Sequence, residues 1–225
     1  MRGGRGDLCD TEREMTTVDM GSRPHRHFGE VAARLRARGV DAPEVLEIGS
    51  WTGGSLAAWD ATFAGRARFV AVDRWEPYPL RGEGSFPYGA VNDQLASGEV
   101  RREFNARVAG MIDRIEIVVE DSRSALVRFA SEHRLFDLVY VDGDHRLEAA
   151  RADIAGALIV LKRGGVVCGD DLERQLCEIE DLGRHDAAAT SALDYVDGYH
   201  PGVTQAVGEL FGRVWCRDGF WMVDV

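Results

Sequence analysis

The sequence predicts an α/β fold, a mostly parallel sheet with helices packed on both of its faces. Three observations carry this. Short, wholly apolar runs alternate with helix-patterned segments five times along 225 residues, the order that places crossover helices over parallel strands. The length suits one large α/β domain with a core of its own. Finally, Arg217-Asp218-Gly219 sits between two apolar runs near the end of the chain, and Asp-Gly in that setting marks a hairpin.

Taken in order, residues 1–24 are polar, rich in Gly and Arg and without periodicity, and read as an arm. A helix follows at 26–38, with Phe28, Val31, Ala32 and Leu35 on one stripe and Gly39 as its stop. A strand at 45–48 runs into Gly49-Ser50-Trp51-Thr52-Gly53-Gly54-Ser55 and a helix at 54–64; a strand at 69–72 ends on Asp73. Residues 75–99, with three prolines and the aromatics Trp75, Tyr78, Phe86 and Tyr88, are too long for an ordinary connection and read as a lid or binding loop. Then come a helix at 100–109, a strand at 115–119, a helix at 122–133, a strand at 138–141, a helix at 146–161 and a strand at 166–168. Residues 171–200 read as a second irregular stretch, before a helix at 202–211 and the strands 213–216 and 220–225.

Composition excludes several functions. The net charge of −11 argues against wrapping nucleic acid or docking on an anionic membrane, both of which need clustered positive charge. No apolar stretch is long enough to span a bilayer. No secretory signal is visible, and Cys9, Cys168, Cys177 and Cys216 form no C-x-x-C pair; both point to a cytoplasmic protein with reduced thiols. Lys162 is the only lysine, so amine nucleophile chemistry has one candidate.

Four motifs carry chemistry. In the Gly-rich turn after the first strand, glycines allow close backbone approach and the helix N-terminus favours polar groups. A dinucleotide fingerprint would place Gly where Trp51 stands, and a phosphate-binding loop would need a lysine. What remains, Glu47-x-Gly49-x-x-x-Gly53 with Ser50 and Ser55, suits a nucleoside without a pyrophosphate; the bland alternative is a tight strand–helix turn. Asp73, at the end of the next strand, can accept from ribose hydroxyls. Asp121 with Ser122 could meet an adenine amino group or simply cap the following helix. Last, Val141-Asp142-Gly143-Asp144-His145 and Cys168-Gly169-Asp170-Asp171 end the fourth and fifth strands. In an open α/β sheet the ligand crevice lies outside these strand ends. Asp142, Asp170 and Asp171 brought together there call for a cation, and an all-carboxylate set favours Mg²⁺, Mn²⁺ or Ca²⁺ over zinc. His145 has the pKa of a general base near neutrality, and Asp144 reads as a helix cap.

Together, EIGSWTGGS, VAVDRWEP, VEDS, FDLVYVDGDH, LKRGGVVCGDD and HPGVTQAV resemble the class I S-adenosylmethionine-dependent methyltransferases. They are most similar to the small metal-dependent O-methyltransferases that include the macrocin- and mycinamicin-type sugar methyltransferases. The resemblance, over residues 42–225, implies a Rossmann-like, doubly wound, seven-stranded sheet with an antiparallel last strand. It implies a single methyltransferase domain, with 1–24 an arm and 75–99 and 172–200 forming the acceptor pocket. Glu47, Gly49 and Ser50 would line the methionine side of the cofactor, in the turn that also holds Gly53 and Ser55. Asp73 would hold the ribose, and Asp121 and Ser122 the adenine. Asp142, Asp170 and Asp171 would ligate Mg²⁺ (or Mn²⁺). His145 would be the base, with Asp144 its rival because some relatives carry an acid there. The implied partner is a small-molecule hydroxyl acceptor, a sugar or other natural-product intermediate, and relatives of this kind associate as homo-oligomers. An N- or carboxyl-methyltransferase and a non-catalytic nucleoside-binding relative are the alternatives, and Trp51 argues against an NAD oxidoreductase.

Overall fold

A computed structural model describes residues 24–78, 88–191 and 193–225. The expectations for residues 1–23 of the arm and for Phe86 lie outside these residues. The chain forms helix α1 (Phe28–Ala37), β1 (Glu44–Ile48), α2 (Gly54–Thr62), β2 (Arg68–Asp73), α3 (Tyr88–Ala96), α4 (Glu99–Val108), β3 (Ile115–Val119), α5 (Ser122–Ser131) and β4 (Phe136–Val141). It continues with α6 (Leu147–Ile159), β5 (Leu161–Leu172), α7 (Leu182–Ala189), α8 (Pro201–Phe211), β6 (Trp215–Arg217) and β7 (Gly219–Asp224).

The seven strands lie in the order β3-β2-β1-β4-β5-β7-β6. The β3–β2, β2–β1, β1–β4 and β4–β5 pairs are parallel, while β7 runs antiparallel to both β5 and β6. The order reverses between β1 and β4, so the crevice expected at a topological switch point opens above Ile48 and Val141. Alternate strand residues feed two cores. Val45 and Tyr140 join Phe28, Trp59 and Phe104 from α1, α2 and α4, with Phe63 just beyond α2. Leu46, Ile48 and Val139 join Phe129, Ile154 and Val207 from α5, α6 and α8. The Phe28 and Trp59 rings stack at 3.5 Å and anchor α1 over the first face.

Two expectations change. The stretches expected to be irregular contain helices, α3 within 75–99 and α7 within 171–200. Asp181 caps α7 by accepting from Arg184 N at 3.0 Å, and an alanine run carries it. In the first stretch, dense Pro and Gly upstream mask the helical pattern of α3. The fifth strand is also longer than expected, because a register shift between Phe136 and Leu138 lets it begin at Leu161. No helix of the described residues is long and apolar enough to cross a membrane.

Candidate active site

The crevice begins where β1 turns into α2. Gly49 has φ +83°, and a β-carbon there would stand 2.0 Å from Asp142 O. Only glycine fits, and its absence of side chain lets β1 and β4 close together at the switch point. Gly53, at φ +79°, caps α2 with its would-be β-carbon 3.1 Å from the Phe104 ring. Between them Trp51 takes φ +43°, a costly conformation for an aromatic residue.

Asp73 holds that turn. Its Oδ2 accepts from Ser50 N (3.0 Å) and Trp51 N (2.9 Å), and its Oδ1 accepts from Trp75 N (2.7 Å). Burial raises its pKa, with these amides pulling the other way. A carboxylate has about four acceptor positions, so one is left for a ligand hydroxyl. Glu47 is fully buried, and its Oε1 accepts from Ser55 Oγ at 2.9 Å. Glu47 Oε2 and Ser50 Oγ are buried without a well-aligned hydrogen bond, though Ser50 lies near enough to help lower the Glu47 pKa. Burial pushes the Glu47 carboxyl well up, with Ser55 and Ser50 pulling the other way. Buried atoms so poorly satisfied are rare and point to a missing polar ligand.

Farther along, Asp121 caps α5, accepting from Arg123 N at 3.1 Å and Ser124 N at 3.4 Å. Ser122 Oγ donates to Asp153 Oδ1 at 2.7 Å. Asp153 was not foreseen as a site residue. It is 2% exposed on α6 beneath Gly143, and burial pushes its pKa up to about 7.

The other half of the crevice is dense in charge. Asp142, at the end of β4, accepts from Tyr140 OH at 3.3 Å. Asp171 takes φ +65°, inside a register shift between Gly169 and Leu172. Such irregularities re-aim side chains. His145 Nε2 lies 3.0 Å from Asp171 Oδ2 and 3.6 Å from Asp142 Oδ1. His145 Nδ1 meets Asp194 Oδ2 at 3.4 Å. Burial opposes the imidazolium charge, but Asp171, Asp194 and Asp142 outweigh it and hold the His145 pKa well above its usual value. Asp170 stands beside them, its carboxyl pushed up to about 9 by burial, then by Asp171 and Asp142. Donor atoms of Asp142, His145 and Asp171 gather closely enough to share one ion; those of Asp170 do not join that set. Asp144 turns to Arg146, accepting from its N (3.1 Å) and Nε (2.8 Å).

Three more groups complete this end and had escaped sequence reasoning. His200 Nδ1 lies 3.0 Å from Glu173 Oε1 and 3.4 Å from Asp171 Oδ1, and Asp194 backs His145. Pro201 opens α8, and a β-carbon on Gly202 would stand 2.3 Å from His145 O. That close approach is what delivers His200 to the cluster. Near the Gly-rich turn, His25 Cε1 comes within 3.9 Å of a would-be Gly54 β-carbon. Its neighbour His27 pairs with Asp218 at 2.8 Å.

Comparison with known proteins bears on the fold. Among solved structures, the calicheamicin methyltransferase CalS11 superposes with a TM-score of 0.58 at 16% identity, over 89% of this chain and 77% of that one. The Bacillus cereus O-methyltransferase in complex with SAH gives 0.56 at 19%, over 93% and 84%. Cofactor-bound Rv0187 from MTB gives 0.53 at 24%, over 93% and 82%. Identities this low establish a shared fold. No curated protein matches the sequence. A family model described as a methyltransferase domain matches residues 46–172, from the first strand through Asp171, and the chain therefore belongs to the methyltransferase-domain family.

Proposed function

We propose that this chain is an S-adenosylmethionine-dependent O-methyltransferase. It acts on a hydroxyl of a small molecule, a sugar or other natural-product intermediate, and uses a divalent cation such as Mg²⁺ or Mn²⁺. One observation carries the reading: a Gly-rich turn with buried, poorly satisfied polar atoms adjoins a crowded carboxylate–histidine cluster at the same strand ends. The O-methyltransferase neighbours support the choice of acceptor atom.

Both groups fit the residues present. Glu47 Oε2 and Ser50 Oγ suit the ammonium and carboxylate of a methionine moiety. Asp73 keeps acceptor capacity for a ribose hydroxyl. Asp142 and Asp171 offer hard oxygen donors that converge with His145; the Asp170 carboxyl beside them is raised first by burial and then by Asp171 and Asp142. When bound, S-adenosylmethionine supplies the electrophilic methyl, and the cation lowers the pKa of an acceptor hydroxyl. The protein's own contribution is placement, since positioning two reactants lowers a barrier by roughly 7–11 kcal/mol. Trp75, which donates to Trp51 O, and Tyr195, whose ring lies 4.9 Å from that of His200, border the two ends of the crevice. Of the two groups expected to take the proton, Asp144 is engaged by Arg146, which weakens it as a base, and His145 stands within the carboxylates.

Calorimetric titration with S-adenosylmethionine, before and after exhaustive chelation, tests this. One cofactor should bind per chain, and methyl transfer to hydroxyl acceptors should stop on chelation and return with a divalent ion. Turnover that survives chelation would remove the cation; no cofactor binding would remove the whole reading.

A further inference from the structure

The two nitrogens of His145 stand in different situations. Nδ1 hydrogen-bonds to Asp194 Oδ2. Nε2 is buried and faces two carboxylates, with Asp171 Oδ2 3.0 Å away and Asp142 Oδ1 3.6 Å away. Those two carboxylates pair with the imidazolium, so a cation entering here takes the place of the Nε2 proton. Donor atoms of the three residues converge, all within 4.8 Å of one another. Histidines that bind metals commonly give their other N–H to a carboxylate, which fixes the tautomer and leaves a lone pair on the binding nitrogen. Asp194, itself buried, stands in that position. The second Asp171 oxygen lies 3.4 Å from His200 Nδ1, whose hydrogen bond goes to Glu173.

We infer that His145 is a ligand of the cation through Nε2, beside Asp142 and Asp171, and that Asp194 is its positioning residue. One nitrogen donor in the set changes the preferred ion. Imidazole suits first-row transition ions, whereas Mg²⁺ favours an all-oxygen shell. The site therefore discriminates against Mg²⁺ more strongly than three carboxylates would. A nitrogen that gives its lone pair to a cation is no longer a free base, so His145 holds the ion rather than taking the acceptor's proton. This inference rests on the cation proposed above.

The test is pulsed electron paramagnetic resonance on the full chain loaded with Mn²⁺ alone. A nitrogen-14 coupling should appear and convert to a nitrogen-15 coupling when the unmodified protein is made with ¹⁵N-histidine. It should vanish in His145→Gln and persist in His200→Ala. Asp194→Asn should weaken Co²⁺ binding about 10–100-fold, with a smaller loss for Mg²⁺. Bound Mn²⁺ without a histidine coupling, or a coupling that survives His145→Gln, would overturn the role of His145 and leave the cation standing. Failure to bind Mn²⁺ or Co²⁺ at all would overturn both. Because the labelled protein carries no substitution, a variant that fails to fold does not block the decision.

Discussion

At the β1–β2 end of the crevice, the prominent carboxylate is settled by its own backbone: Asp73 takes three amides from the turn it holds. At the β4–β5 end, Asp142 and Asp171 crowd around His145, with His200 beside Asp171, and burial, then Asp171 and Asp142, drive the neighbouring Asp170 to about 9. The first end holds its shape before any ligand arrives and leaves a few spare acceptors. The second carries charge that the backbone cannot settle. A neutral sugar-like surface fits the first arrangement, and a counter-ion fits the second.

Gly49 is the joint between the two ends, so breaking it should have the largest effect. Gly49→Ala drives a carbon to 2.0 Å from Asp142 O at φ +83°, which is expected to cost on the order of 5 kcal/mol. Gly54→Ala is the control. Its new carbon would meet nothing closer than 3.7 Å, and stability should change by less than about 1 kcal/mol. Urea unfolding of both variants measures the contrast; equal effects would mean that β1 and β4 are not locked through this contact.

Legibility in the sequence follows the same division. The Gly-rich turn, Asp73 and the strand-end acids were readable because each depends on local rules: positive φ, a strand end, an open-sheet crevice. Asp194, Glu173 and His200 were not, since they come from 172–200, where no periodicity reveals how the chain returns. Asp153 could have been found, as an acid among the apolar residues Ala150, Ile154 and Ala157 of one helix face. Asp121 was readable only as two alternatives, and the structure shows the capping bond.

Asp153 gives the next effect, a dependence on pH. Its carboxyl is raised from 3.8 to about 7 by burial, so the folded protein keeps a proton that the unfolded chain has already lost. Stability should therefore be greatest at about pH 4 and below as far as this group is concerned. It should fall as pH rises toward 7 and level off above, by roughly 2–4 kcal/mol in all. Asp153→Asn should flatten that slope, as read by melting temperature against pH. An unchanged slope would place the carboxylate in a wetter setting than its 2% exposure indicates.

Removing the settled carboxylate should matter less. Asp73→Ala strips an acceptor from three amides at the rim of the crevice and should cost about 1–3 kcal/mol. S-adenosylmethionine affinity should fall at least tenfold while Mn²⁺ affinity holds, if the two ends are as independent as their hydrogen bonding suggests. Calorimetry on the one variant reads both ligands, and a parallel loss of Mn²⁺ would show that the turn also shapes the cluster.

The smallest effect decides between the two meanings of Asp121. As an N-cap it accepts from Arg123 N and Ser124 N, and Asp121→Ala should cost about 1 kcal/mol of stability. If capping is its whole role, S-adenosylmethionine should bind the variant as it binds the parent, because α5 remains packed through Ala125, Leu126 and Phe129. If the same carboxylate also meets the adenine amino group, affinity should fall further than stability accounts for. Asp121→Ser separates the two. A serine restores the cap but brings no carboxylate to the base, so recovery of stability without recovery of affinity would assign Asp121 to the cofactor as well as to the helix.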